Sequence, residues 1–142
     1  MLDQPQNATN IDISLVRAIF EPNLFGLIQT TTTLLPLIRK SAQGAILNVS
    51  SGLASSTNHA KPDSTLRKFT AYNASKTAAN SYTIALAHEL RKEGIKVNCV
   101  SPGLTATRMS AIFGATGKSA KDGAESLLPW ALLGADGPTG KF

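Results

Sequence analysis

The chain has 142 residues, an apolar share of 42% and a formal net charge of +5. That length allows one domain, able to bury about two-thirds of its unfolded surface, and the composition is that of a globular chain. No apolar run approaches the ~20 residues that span a bilayer. The lysines and arginines are scattered, never more than two in a row, and read as a solvated surface rather than a nucleic-acid patch.

The opening stretch, "MLDQPQNATN", is polar and has no apolar core of a secretory signal. Ile11 to Lys40 then reads as helical, with Ile19, Phe20, Leu24, Leu27 and Ile28 at helical spacing. Leu34, Leu35, Leu37 and Ile38 continue the pattern. Proline removes a backbone donor and clashes one turn back. An opening turn is therefore expected near Pro22, a main helix from Asn23, and a kink or late break near Pro36. The run Thr30 to Thr33 forms helix poorly, so packing must hold it. "SAQG" is a stop signal. "AILNVSS" is short, apolar and bounded by turns, as a buried parallel strand reads.

Gly52 to Thr70 shows no period and is expected to be loop. Ala71 to Glu93 is the clearest helix, with Ala78, Tyr82, Ala85, Leu86 and Leu90 as its apolar stripe and Gly94 as its cap. "IKVNCVS" reads as a second buried strand, ended by the Pro102-Gly103 turn. "LTATRMSAIFGATGKS" reads as irregular or briefly helical. "AKDGAESLLPWALLG" reads as a last helix, and "ADGPTGKF" leads toward a strand that never arrives. There is no internal repeat. Cys99 is the only cysteine, which rules out an internal disulfide, fits a reducing compartment and suggests a cytoplasmic protein.

The chemistry concentrates between Ser51 and Lys76. Tyr72 and Lys76 are four residues apart, so a helix puts both on one face. A phenol ordinarily titrates near pH ~10. A nearby ammonium and a helix N-terminus both favour its phenolate. The pair can then serve as a general acid/base near neutral pH. Ser51, at the end of the first strand, would offer a hydroxyl to a substrate oxygen.

"NVSSG", "AYNASK", "VNCVSPGLTAT" and "GPTG", in that order, resemble the short-chain dehydrogenase/reductase family, and within it the carbonyl-reductase-like members. The resemblance runs from about Ile19 onward. It implies NADP (or NAD) as cofactor and a small-molecule carbonyl or alcohol substrate. Tyr72 resembles the family's proton donor, and Lys76 the lysine that lowers its pKa and holds the nicotinamide ribose. Ser51 matches the serine that hydrogen-bonds the substrate carbonyl. Asn23 matches the helix asparagine that supports the lysine through a water. Pro102 and Gly103 match the turn beside the nicotinamide, and Thr107 the threonine that contacts the carboxamide or phosphates. The helices matching Asn23–Lys40 and Ala71–Glu93 form dimer interfaces in the family, which implies a homodimer or homotetramer.

Other readings of these residues stand beside that one. A tyrosine four residues before a lysine is ordinarily packing plus a solvated charge. The register of Ser51, Asn23 and the "PG…T" turn reverses the balance. Asn23 could be only a helix cap, and Thr107 only a cap of the following segment. Ser50 reads as structural, Cys99 as a small core hydrophobe, and Trp130 as core or interface. His59 and His88 lack partners at ligand spacing, so no metal is expected. A serine hydrolase needs Gly-x-Ser-x-Gly, and "NVSSGLA" lacks the first glycine.

The element order argues for α/β architecture: a partial Rossmann-like, doubly wound parallel sheet in three α/β/α layers, with first strands and final strand missing. Residues 1–142 are expected to be one incomplete domain, the catalytic C-terminal half. A non-catalytic remnant that dimerises is the alternative. No strand in the chain is followed by a glycine-rich phosphate-binding turn. The chain alone is therefore expected to bind NADPH weakly or not at all. Nanomolar-to-micromolar binding in a fluorescence titration would overturn this.

Overall fold

The computed structural model describes residues 6–64, 66–111 and 116–142. Met1 to Pro5 of the polar lead, Thr65 of the expected loop, and 112–115 of "LTATRMSAIFGATGKS" lie outside the described residues.

Helix α1 spans Ile13–Phe20, and Asp12 caps it by accepting the Ser14 N–H at 2.8 Å. The expected opening turn at Pro22 is instead a π-helical turn, Glu21–Phe25, inside a continuous helical rod. The Gly26 N–H reaches back to the Glu21 carbonyl, one residue further than α-helical bonding. Proline has no N–H to give, and a widened turn also relieves its ring. Helix α2 follows, Gly26–Ile38, and it ends two residues after Pro36, as a late break. Thr32 bonds its hydroxyl back to the Ile28 carbonyl at 2.9 Å, and Thr31 is buried.

Strands β1, Ala45–Val49, and β2, Lys96–Val100, pair in parallel with Leu47 opposite Asn98. The connection is not all loop. It holds a 3-10 turn at Gly52–Ala54, helix α3 at Ser56–His59, and a 3-10 turn at Leu66–Lys68. Ser51 and Ser55 nucleate the first two by accepting the N–H groups of Leu53 and Asn58. Serine capping acts through single side chains and leaves no hydrophobic period to read. Helix α4 then runs Thr70–Glu89 and tightens into a 3-10 turn, Leu90–Glu93. Gly94 ends it at φ +74, a left-handed conformation that suits glycine.

The buried face of α4 differs from the expected stripe. Ala79, Thr83, Leu86, Ala87 and Leu90 are buried, whereas Ala85 is exposed and Ala78 and Tyr82 are half-buried. Leu86, Ala87, Leu90, Ile95 and Val97 form the core, with Leu35, Ile38, Ile46 and Tyr82 packed around it. Polar residues share the inner face because each has a partner. Thr83 donates to the Ala79 carbonyl at 2.7 Å and accepts from the Asn48 amide at 2.9 Å. Ser50, also buried, donates to Asn80. At the far ends of α2 and α4, Arg39 and Glu93 form an exposed two-pronged ion pair at 2.7 and 2.8 Å.

Beyond β2 come the short helix α5 at Arg108–Ala111, α6 at Ala120–Glu125 and α7 at Leu128–Ala131. The single last helix expected is thus two. Pro129, near the start of α7, cannot continue the α6 hydrogen bonding. The C-terminal segment does reach the sheet. Gly140 donates to the Val97 carbonyl at 2.8 Å, and Cys99 donates to the Lys141 carbonyl at 2.9 Å, so residues 139–141 line the outer edge of β2. Among the described residues no helix is long and apolar enough to cross a membrane.

Valine has the shape of threonine without its hydroxyl. Thr83→Val should cost about 1–3 kcal/mol, because the Asn48 amide then loses its acceptor. An unchanged urea midpoint would overturn that account.

Candidate active site

Both strands stop at the same level, so the loops that follow them lie side by side. Ser51, in extended backbone, leaves β1 there, and Ser101, Pro102 and Gly103 leave β2. The first turns of α4 cross this edge and bring Tyr72 and Lys76 to it.

The Ser51 hydroxyl lies close enough to the Tyr72 phenol to act on its titration. The Lys76 ammonium lies 5.9 Å from the centre of the Tyr72 ring and donates to the Val49 carbonyl at 3.1 Å. Burial pushes the phenol above its ordinary value, and the nearby Ser51 hydroxyl pulls it partly back. Burial also pushes Lys76 below the usual ammonium range. This differs from the expectation of a phenol lowered toward neutrality by its lysine. Desolvation is the largest cause for both groups, and it penalises the charged form of each.

Asn23 sits on the π turn and does not act as a helix cap. Its side-chain amide donates to the Ser75 hydroxyl at 3.0 Å, and Ser75 donates to the Tyr72 carbonyl at 2.8 Å. Its direct partner is therefore the residue before Lys76. A π turn exposes a helical position at an unusual angle, a device frequent at functional sites.

Gly103 has φ +75, and a side chain there would meet the end of Lys118 at 3.7 Å. Its N–H donates to the Ser101 hydroxyl at 3.2 Å, and the Gly52 N–H reaches the same oxygen at 3.1 Å. Ser101 thereby ties the loop after β1 to the loop after β2. Sequence reasoning missed it, although a serine just before Pro-Gly is a turn signal. Thr107 opens α5 and is occupied in capping: its N–H donates to the Ser110 hydroxyl at 2.8 Å, and its own hydroxyl accepts the Ser110 N–H at 3.4 Å. The structure thus unites Ser51, Tyr72 and Lys76, links Asn23 through Ser75 and Gly103 through Ser101, and gives Thr107 its contacts within its own turn.

Cys99 is buried in β2 with its thiol pushed up by burial, the behaviour of a core side chain. Among the described residues no three metal-ligating side chains converge. A hollow of about 240 Å³ at the opposite end of the strands, beside Arg39, Gly44, Glu93 and Lys96, holds none of these site residues.

A family model described as short chain dehydrogenase matches residues 2–116. The chain belongs to the short-chain dehydrogenase family. Salutaridine reductase of Papaver somniferum is 43% identical over 72 residues, which are 51% of this chain and 22% of the relative. The solved structure of that reductase gives a TM-score of 0.74 at 30% identity, covering 91% of this chain and 54% of its own. Short-chain dehydrogenase anuI of Penicillium roqueforti is 35% identical over 125 residues, 84% of this chain and 49% of the relative. A 3-ketoacyl-(acyl-carrier-protein) reductase of Brucella melitensis, solved with NADH, gives a TM-score of 0.80 at 27% identity, covering 97% and 59%. The chain spans about half the length, or less, of the curated relatives it matches. Membership of this oxidoreductase family, with its Rossmann-type α/β fold, agrees with the fold class read from the motifs.

Ser101→Ala should leave the Gly52 and Gly103 N–H groups without their shared acceptor. The expected result is a loss of about 1 kcal/mol in stability, with faster amide exchange at both glycines. Unchanged exchange at both would remove Ser101 from its linking role.

Proposed function

We propose that this short-chain dehydrogenase site reduces a ketone or aldehyde with NADPH or NADH and oxidises the alcohol in reverse. The observation that carries the reading is the Lys76 ammonium 5.9 Å from the Tyr72 ring, with the Ser51 hydroxyl beside the same phenol. The nicotinamide end of such a cofactor suits the residues present. Gly103 leaves its turn bare of a side chain, and an ammonium has three donors, of which Lys76 gives one to Val49. When bound, the reduced nicotinamide supplies a hydride to the carbonyl carbon.

The protein's own groups then divide the work. Ser51 donates a hydrogen bond to the carbonyl oxygen and orients it. Tyr72 gives that oxygen its proton, and burial favours the protonated phenol that a donor requires. The resulting phenolate is stabilised by the Lys76 charge and by the positive end of α4. The remaining Lys76 donors would hold the ribose hydroxyls. Asn23, through Ser75, steadies the turn that carries Tyr72, and with a water it would extend proton transfer to Lys76. Pro102 and Gly103 would flank the nicotinamide. The Thr107 hydroxyl hydrogen is what that residue would offer to the carboxamide or phosphates.

In this reading residues 1–142 form the catalytic half of a dinucleotide-binding domain. Phe25, Leu34, Leu37 and Ile84 remain exposed and support a homodimer or homotetramer. The non-catalytic alternative draws no support from relatives that are named as reductases and dehydrogenases.

The test is turnover of a panel of ketones and aldehydes at millimolar NADPH or NADH. Tyr72→Phe should lower that turnover by about a hundredfold or more, the usual scale of general acid catalysis. A variant as active as the parent chain would remove Tyr72 from the chemistry.

A further inference from the structure

The first N–H groups of a helix have no partner within it and are ordinarily met by the capping residue. At the start of α4 that residue is Phe69, whose side chain caps nothing. The first bond inside the helix comes only at Asn73, which donates to the Phe69 carbonyl at 2.8 Å. Before it, Thr70 donates to the main-chain carbonyl of Gln6 at 3.4 Å. Tyr72 donates its N–H to the Gln6 side-chain oxygen at 3.2 Å, across 66 positions of sequence. Gln6 also makes a parallel bridge with Phe69 and is 1% exposed.

We infer that Gln6 is a positioning residue for Tyr72: it caps the catalytic helix from a distant segment and holds the first turn against the strand ends. Its side-chain oxygen must face Tyr72, because the N–H there is a donor. The amide nitrogen of Gln6 is buried and has no partner among the described residues. One half of this amide therefore does the binding. Ser75, itself held by Asn23, donates to the Tyr72 carbonyl from within the helix, and Gln6 accepts the Tyr72 N–H from outside it, so the peptide groups on both sides of Tyr72 are engaged.

The consequence for catalysis rests on Tyr72 as the acid, but the test reads position rather than turnover. The chain has two tyrosines, so a Tyr82→Phe background leaves Tyr72 as the only phenol in an ultraviolet titration. The charged group that faces Tyr72 is Lys76, which every variant retains. Gln6→Met keeps the size and removes the acceptor. Gln6→Glu keeps an oxygen at the Tyr72 N–H and adds a carboxylate, which also acts to raise the phenol. With the first turn released, the phenol gains water, so the Gln6→Met midpoint should fall by about half a pH unit or more toward the ordinary ~10. Gln6→Glu should not fall.

Amide exchange in the unsubstituted chain gives an independent readout, which stands even if Gln6→Met does not fold. The Tyr72 amide should exchange at least about tenfold more slowly than a free peptide. Free-peptide exchange at Tyr72 overturns the inference. So does a folded Gln6→Met with an unmoved phenol, even if it melts lower, and so does an equal fall in Gln6→Glu. An active Tyr72→Phe would instead refute the catalytic reading and leave the clamp intact.

Discussion

The site depends on the axial position of α4 against the two parallel strands. Apolar contact alone sets this position poorly, because hydrophobic attraction has no direction. Here a row of polar pairs supplies the direction. Asn48 reaches Thr83, Ser50 reaches Asn80, and Asn23 reaches Ser75. Thr77 adds a bond to the Ala54 carbonyl at 3.0 Å. A slip of the helix by one residue would break all four. The phenol of Tyr72 meets Ser51 because these bonds, further along the same helix, permit one alignment.

That arrangement explains why the buried face of α4 is small and polar. Serine, asparagine and threonine bring the helix close to the sheet and place their hydrogen-bonding atoms within reach of the strand. Large apolar side chains are reserved for the far end, where Leu86 and Leu90 meet Ile95 and Val97. The helix is thus divided in function along its length. Its C-terminal half stabilises by burial, and its N-terminal half positions the candidate site residues.

Burial also sets the electrostatic character of the site. It pushes the Tyr72 phenol up and the Lys76 ammonium down. A neutral phenol is the form that can give a proton. The lysine holds its place through the Val49 carbonyl, a partner supplied by the end of β1 rather than by the tyrosine. The strand end, the serine and the lysine are therefore one mechanical unit, closed on the β2 side by Ser101.

The sequence by itself determined both strands and the long helix with its Gly94 stop, through strand-length apolar runs, helical spacing and the left-handed preference of a glycine; Ser51, Tyr72 and Lys76 were singled out by their resemblance to family motifs. Only the tertiary structure decided the rest. Pro22 became a π turn inside a continuous rod, residues 139–141 covered the edge of β2, and Ser101 and Gln6 took up linking roles. Each of these depends on a hydrogen bond between segments far apart in the chain. The pattern of single residues carries no record of which distant donor an oxygen will meet, nor of whether burial or a neighbouring charge will win at a titrating group.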